Sequence, residues 1–465
     1  MMSNYRTESD SLGPMKIPLA AAWGSQTQRA LDNFPITGVP ISHYPELIVG
    51  LASVKKACAL ANRDLGALPA GKAAAIVGIC DEIIGGRHHE QFVVDVMQGG
   101  AGTSTNMNAN EVIANLGLKK LGTDFGAYGR LHPNDDVNRS QSTNDVYPTA
   151  IRLAVLSRIT PLIEAMHGLT NSFGNKASEF QHIMKVGRTQ LQDAVPMPLG
   201  AEFRGYATTI NEDADRLCDL SRLLTEVNLG GTAIGTGINA PAHFGEAAVS
   251  HLREITGEPL QLAPDLVEAS SDLGAFVMFS STLKRVAIKL SKICNDLRLM
   301  SSGPRAGIGE IILPAVQAGS SIMPGKVNPV IPEVVNQVCY QAIGNDLTVT
   351  MAAEAGQFQL NAMEPVIIHK VLETMGSLTS AMNVLRTRCV DGIVADEERC
   401  QFLLSNSLVQ VTALAPVIGY EAATKLAKYA QANGLSLQSA ALPALPEELA
   451  ETALKHLQGS IPENA

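Results

Sequence analysis

The clearest pattern along the chain is a recurrence of apolar positions at steps of three and four. Leu283, Val286, Leu290, Ile293, Leu297 and Met300 follow it over 283–300. Ile151, Val155, Ile159, Leu162, Met166, Leu169 and Phe173 follow it over 151–173. Such stripes predict long helices packed along a seam. Pro161 falls inside the second stripe and predicts a kink or a restart there. The stretch "SSGPRAGIGE" (301–310) ends the first stripe in a loop. A further helix is expected to begin near Pro332, where proline suits a first turn, and to run on through "EVVNQVCYQAIGNDLTVTMAAEAG". Toward the end, "GYEAATKLAKYAQANG" (419–434) reads as a short amphipathic helix closed at Asn433-Gly434.

Strand signals are few and short. The glycine- and polar-rich stretches 98–108, 132–145, 187–193 and 319–329 read as loops between helices, and loops on a rigid scaffold are where function concentrates. The expected organisation is mainly α: a mostly helical N-terminal domain over 1–144, a central bundle of long helices over 145–397, and a small helical C-terminal domain over 398–465.

Composition sharpens this picture. The 465 residues exceed what one compact core holds, and 46% apolar against 17% charged residues suits a folded chain rather than a disordered one. Aromatics are only 4%, so the core is aliphatic, which favours helix-on-helix packing. A formal net charge of −10 with no basic run argues against nucleic acid as a partner. Seven cysteines without a CxxC pair read as reduced thiols of a cytoplasmic protein. No apolar run is long enough to span a bilayer, and the first residues carry no signal-like apolar core.

Candidate chemistry gathers in "GSSIMPGKVNP" (319–329). A phosphate-binding P-loop is excluded by spacing: five residues before Gly325 stands Ser320, and Lys326 is followed by Val327, which offers no magnesium ligand. His88-His89-Glu90 has no metal-binding spacing around it. A plain connection between helices remains open for 319–329. Against it stands the density of Ser320, Ser321, Lys326 and Asn328 among mobile glycines, which suits a lid closing over a carboxylate and excluding water.

That loop resembles the signature of the fumarase/aspartase superfamily, whose members eliminate a group β to a carboxylate. "GGAGTSTNMNANEVIAN" (99–115), "HPNDDVNRSQSTNDVYPT" (132–149), "GRTQLQDAVP" (187–196), "GGTAIGTGIN" (230–239) and "SSGPRAG" (301–307) are similar to family stretches in the family's order. Within it, Ala101, Gln190 and Glu364 resemble the aspartase branch, where fumarases typically carry serine, histidine and arginine. "AAWGSQTQRA" (21–30) and "HPNDDVN" (132–138) resemble fumarases instead, and Ala201 and the tail after 440 match neither.

The resemblance implies a lyase that converts L-aspartate reversibly to fumarate and ammonia, with fumarate hydration as the competing activity. It implies Ser320 as the base and Lys326 beside it. Thr103, Ser142, Thr143 and Ser321 would hold the β-carboxylate; Thr189, Lys326 and Asn328 the α-carboxylate; Asn144 and Gln190 the ammonium group. Glu333 would be a buried partner of Gln190. Arg29 and Arg188 would add local positive charge, each being more simply a salt-bridge partner, and His132, Asn134 and Asp135 read as loop structure. It also implies a homotetramer whose active sites combine loops from several subunits. No cofactor is required, and nothing in the sequence bears on activation by a divalent cation such as Mg2+. A catalytically dead scaffold is the rival from another class, and the intact serine, lysine and asparagine of the lid loop speak against it.

Overall fold

The structure, a computed structural model, describes residues 4–319 and 321–459. It is mainly α, and its described strands all lie in two-stranded sheets. Four long helices dominate: Thr143–Glu179, Gly274–Met300, Val330–Glu354 and Glu364–Arg388. At 1.5 Å per residue the first is roughly 55 Å long.

The apolar stripes are the buried faces of these helices. Leu283, Val286, Leu290, Ile293 and Leu297 are at most 1% exposed, as are Ile151, Val155, Leu162, Met166, Leu169 and Phe173. Helix Thr143–Glu179 continues through Pro148 and Pro161, so no restart occurs at Pro161. An interior proline costs about 3 kcal/mol. Six buried aliphatic or aromatic side chains at about 1.5–3 kcal/mol each outweigh it. Helix Val330–Glu354 starts two residues before Pro332, and helix Tyr420–Asn433 ends on Gly434 at φ +63°, as the sequence suggests.

The chain divides into two compact units. The first comprises 1–163, 215–287 and 340–378. In it helix Pro45–Asp64 packs on Ala70–Ile84 and on Phe244–Thr256. Buried Asp346 accepts from Ser280 Oγ at 2.9 Å and Lys284 Nζ at 2.5 Å, tying two long helices together. The second unit comprises 164–214, 288–339 and 379–465. Here the Asn336 amide donates to Ser291 Oγ at 2.8 Å and to its carbonyl at 3.1 Å. Helices Val411–Ile418, Tyr420–Asn433, Leu437–Ala444 and Glu447–Gly459 close on an aliphatic cluster of Leu414, Leu426, Leu437 and Leu457.

Three of the expected loops are structured differently, 132–145 holding the helical turn Pro133–Val137 and the start of helix Thr143–Glu179. The stretch 187–193 belongs to an antiparallel hairpin, Met184–Thr189 paired with Gln192–Pro198, and helix Thr103–Lys120 begins within 98–108. All seven cysteines are free, and Cys218 alone is exposed. Burial pushes the Cys80, Cys339, Cys389 and Cys400 thiols up to about 12. No single helix among the described residues is long and apolar enough to cross a membrane.

Candidate active site

The expected site residues fall into two sets. Thr103, Ser142, Thr143 and Asn144 lie in the first unit; Thr189, Gln190, Ser321, Lys326, Asn328 and Glu333 lie in the second. Ser320 lies outside the described residues.

In the first set two helix starts come side by side. Gly100, Ala101 and Gly102 have φ of +87°, +55° and +85°, a left-handed turn that delivers Thr103 as the first residue of its helix. Gly102 is needed for space as well: a Cβ there would lie 2.5 Å from the ring of buried Tyr147. Thr143 begins helix Thr143–Glu179, and Asn106 Nδ2 donates to Thr143 Oγ1 at 3.0 Å, joining the two starts. The positive ends of two helices and their hydroxyls suit a carboxylate. Among the described residues, the Ser104 and Thr143 N–H groups have no acceptor. Thr143 Oγ1 accepts from Asn106, so its own proton stays available. Ser142 Oγ likewise accepts, from Asn144 N–H at 3.2 Å, and borders a cavity of about 240 Å³ with Thr232, Ile238 and Asn239. Thr103 Oγ1 donates to Gly100 O at 2.6 Å, so it must turn before it can donate to a ligand. Asn144 Nδ2 donates to Ala233 O at 2.8 Å.

Beneath this surface lie Asp145 and Lys55, which sequence reasoning passed over, and Glu364, which it named only as a family-like position. Fully buried Asp145 accepts from the backbone N–H of Ser142 at 2.9 Å and of Gly230 and Thr232 at 3.0 Å. It thereby binds "STND" to "GGTAIG". Burial pushes its carboxyl up to about 6, against the pull of those three N–H groups. Fully buried Lys55 donates to Asn138 Oδ1 at 2.8 Å and Gln141 Oε1 at 2.9 Å, and burial lowers its ammonium to about 7. Its place between Leu51 and Cys58 does not single it out, because polar Ser53 and Asn62 are buried on the same helix. Glu364 is buried at the start of its helix, and burial pushes its carboxyl up to about 8, opposed by the charge of Arg152.

In the second set the hairpin presents Thr189 and Gln190 to solvent. Gln190 and Leu191 form its turn with φ of +55° and +62°. Arg188 pairs with Glu310, Nη1 to Oε1 at 2.8 Å, as a salt-bridge partner should. Ser321 and Lys326 are exposed, and Lys326 has no carboxylate partner among the described residues. Asn328 Nδ2 donates to Gly319 O at 2.7 Å, closing the neck of the loop. Glu333 sits half-buried in the first turn of the following helix, and no hydrogen bond joins it to Gln190 among the described residues.

Arg29 belongs to neither set. Its guanidinium pairs with Asp10 at 2.8 and 2.9 Å and donates to Gly13 O, and holds the Asp10 carboxyl below the usual range. His132 Nδ1 accepts from the N–H groups of Asn134 and Asp135 at 3.1 Å, which makes it a cap of its own turn. No cluster of three or more His, Cys, Asp or Glu among the described residues is arranged to hold a metal.

Helix starts rich in hydroxyls and free N–H groups, set on a scaffold of long helices, suit the recognition of a carboxylate. A family described as Lyase matches residues 13–344, and one described as Fumarase C C-terminus matches 411–454. The chain belongs to this lyase family, within the fumarase/aspartase superfamily. It is 60% identical over 433 residues to the aspartate ammonia-lyase of Pseudomonas canavaninivorans, covering 93% of this chain and 91% of that one. Among solved structures, a fumarate lyase:delta crystallin from Brucella melitensis bound to cobalt superposes with a TM-score of 0.95 at 56% identity, over 98% of this chain and all (100%) of the other. The class II fumarase of Schistosoma mansoni gives 0.90 at 34% identity, over 99% and 100%.

Proposed function

We propose that this chain is an aspartate ammonia-lyase, converting L-aspartate reversibly to fumarate and ammonia. Its high identity to enzymes of that name carries the reading. The chemistry fits the residues. A base removes the Cβ proton, the electron pair enters the β-carboxylate as an enediolate, and its collapse breaks the Cα–N bond to give ammonia and the double bond of fumarate. The difficult species is the enediolate, with two negative charges on one carboxylate group, so the site acts through donors fixed in advance. Thr143 and Ser142, at the start of a long helix, have free hydroxyl protons for that group, with Thr103 and Ser321 completing the set. Thr189, Lys326 and Asn328 take the α-carboxylate, and Asn144 and Gln190 the ammonium. Ser320 takes the proton on this reading. Its hydroxyl is a poor acid in water and requires a closed, dry lid with Lys326 near the alkoxide.

Gln190 favours deamination over hydration. An amide does not titrate near neutral pH, so it cannot take a proton from water as an imidazole does. Loss of ammonia needs no activated water.

The subunit on this reading has parts 1–144, 145–397 and 398–465 and works as a cytoplasmic homotetramer. Met278 and Ile288 on one long helix and Tyr340, Leu347 and Met351 on another are between 51% and 65% exposed, a load of apolar surface that a partner helix would cover. Dilution to monomer should then abolish activity, read by light scattering alongside turnover.

The deciding assay gives the purified protein L-aspartate in one cuvette and L-malate in another, following fumarate absorbance in both and ammonia in the first. Fumarate and ammonia rising together from aspartate, with malate nearly inert, is the expected result. Fumarate from malate alone would make the chain a fumarase.

A further inference from the structure

The hairpin that carries Thr189 and Gln190 is an unpromising platform taken alone. Its turn consists of two non-glycine residues in the left-handed region, Gln190 and Leu191, and both are exposed. Such residues persist only where the surroundings impose the conformation. The register also shifts between Gly187 and Arg188, where a Cβ on Gly187 would come within 2.8 Å of Val195 O.

The first strand is held on a buried acid. Glu310 is completely buried (0% exposed), and two cations from that strand converge on its carboxylate. Arg188 Nη1 donates to Oε1 at 2.8 Å, and Lys185 Nζ stands 2.9 Å from Oε2 as an ion pair. The backbone of Glu310 is fixed in turn: its N–H donates to Met300 O at 2.9 Å, and its carbonyl accepts from Asp396 N–H at 3.0 Å. Lys185 has a second carboxylate, Glu202, at 3.3 Å. Arg188 makes no other ion pair among the described residues, and it is the residue directly before Thr189. A buried charge cluster of this kind is a costly way to gain stability, and its best-attested use is to fix a conformation.

We propose that Arg188 and Glu310 are positioning residues for the Cα end of the substrate: Glu310, anchored by Lys185 and its own backbone, grips Arg188 and so fixes the strained turn that presents Thr189 and Gln190. This rests on the reading of Thr189 and Gln190 as substrate-facing, and the experiment separates the two.

The test is a double-mutant cycle on the full-length enzyme with Arg188→Gln, Gln190→Ala and the pair. Arg188→Gln leaves Lys185 on Glu310, so the buried carboxylate keeps a cation. Expected for Arg188→Gln is a rise of about tenfold in KM for L-aspartate, with kcat within about threefold and the thermal midpoint nearly unchanged. KM for ammonia in the reverse direction should rise in parallel. In the Gln190→Ala background the same substitution should add clearly less than about tenfold, because one of the two groups it positions is gone and only the Thr189 share remains. Arg188→Lys keeps the charge and should recover most of the affinity; it also serves as the milder lesion should Arg188→Gln fold poorly. An unchanged KM in Arg188→Gln, or full additivity with Gln190→Ala, overturns the positioning role alone. A silent Gln190→Ala overturns the reading of the turn as substrate-facing, and the proposal with it.

Discussion

Gly102→Ala offers the most direct check on how the carboxylate end is built. At φ +85° an alanine is left-handed, which costs about 1–2 kcal/mol. Its Cβ would also stand 2.5, 2.6 and 2.7 Å from three atoms of the Tyr147 ring. Carbon atoms pack at about 3.5–4.0 Å, so the ring must retreat by roughly 1 Å. Tyr147 is 2% exposed and lies two residues beyond Asp145 on the helix that starts at Thr143, so it has little room to move without dragging the Ser142–Asn144 segment. Overpacking of this kind costs about 1–3 kcal/mol, and the two effects together amount to about 2–5 kcal/mol. Urea unfolding followed by circular dichroism measures the loss, and kcat/KM for aspartate should fall by one to two orders of magnitude, as about 1 Å of misplacement implies. Tyr147→Leu in the Gly102→Ala background should return the overpacking share and leave the backbone share. A loss below about 0.5 kcal/mol with kcat/KM within twofold would mean that the ring swings aside freely. The packing account of this turn would then be wrong.

Other outcomes follow from the same structure. Ser320→Ala should remain a folded oligomer that binds succinate yet barely turns aspartate over; near wild-type turnover would remove Ser320 as the base. Gln190→His should raise fumarate hydration without straining the turn, since histidine is among the residues that accept positive φ; no gain in malate formation would mean that Glu333 and its surroundings are not poised to activate water. Glu82 is held down to about 2 by the Lys120 ammonium at 2.5 Å and, secondarily, by His88 at 3.0 Å. Its folded value lies below the unfolded one, so its contribution is complete above about pH 4.5 and is lost as pH falls toward 2. Lys120→Met should flatten the acid limb of the thermal midpoint, and an unchanged limb would assign acid lability elsewhere.

The long helices were legible because their signal is local and repeated: Leu283 to Met300 and Ile151 to Phe173 state a period and keep it. The closing glycine of helix Tyr420–Asn433 was legible for the same reason. The hairpin was not. Its second strand contains Pro196 and Pro198, and its turn is Gln-Leu, which lacks the Asn-Gly or Gly signal that marks such turns. Side chains at the family-like stretches could be named from resemblance, but their supports could not. Lys55 meets Asn138 and Gln141, and Arg188 meets Glu310, across separations of 83, 86 and 122 residues. A charge that is neutralised only in the folded chain leaves no periodic trace.

The uneven exposure of the seven thiols has a practical consequence. Six are walled off by the packing, and burial raises those whose shift is resolved, so a maleimide offered to the native chain should meet Cys218 alone. The end of helix Leu199–Ser221 therefore carries a natural attachment point for a fluorophore or spin probe, with no cysteine to remove first. The remaining six act as a clock: each becomes alkylatable only when its surroundings open, and mass spectrometry of labelled peptides would order those openings along the chain.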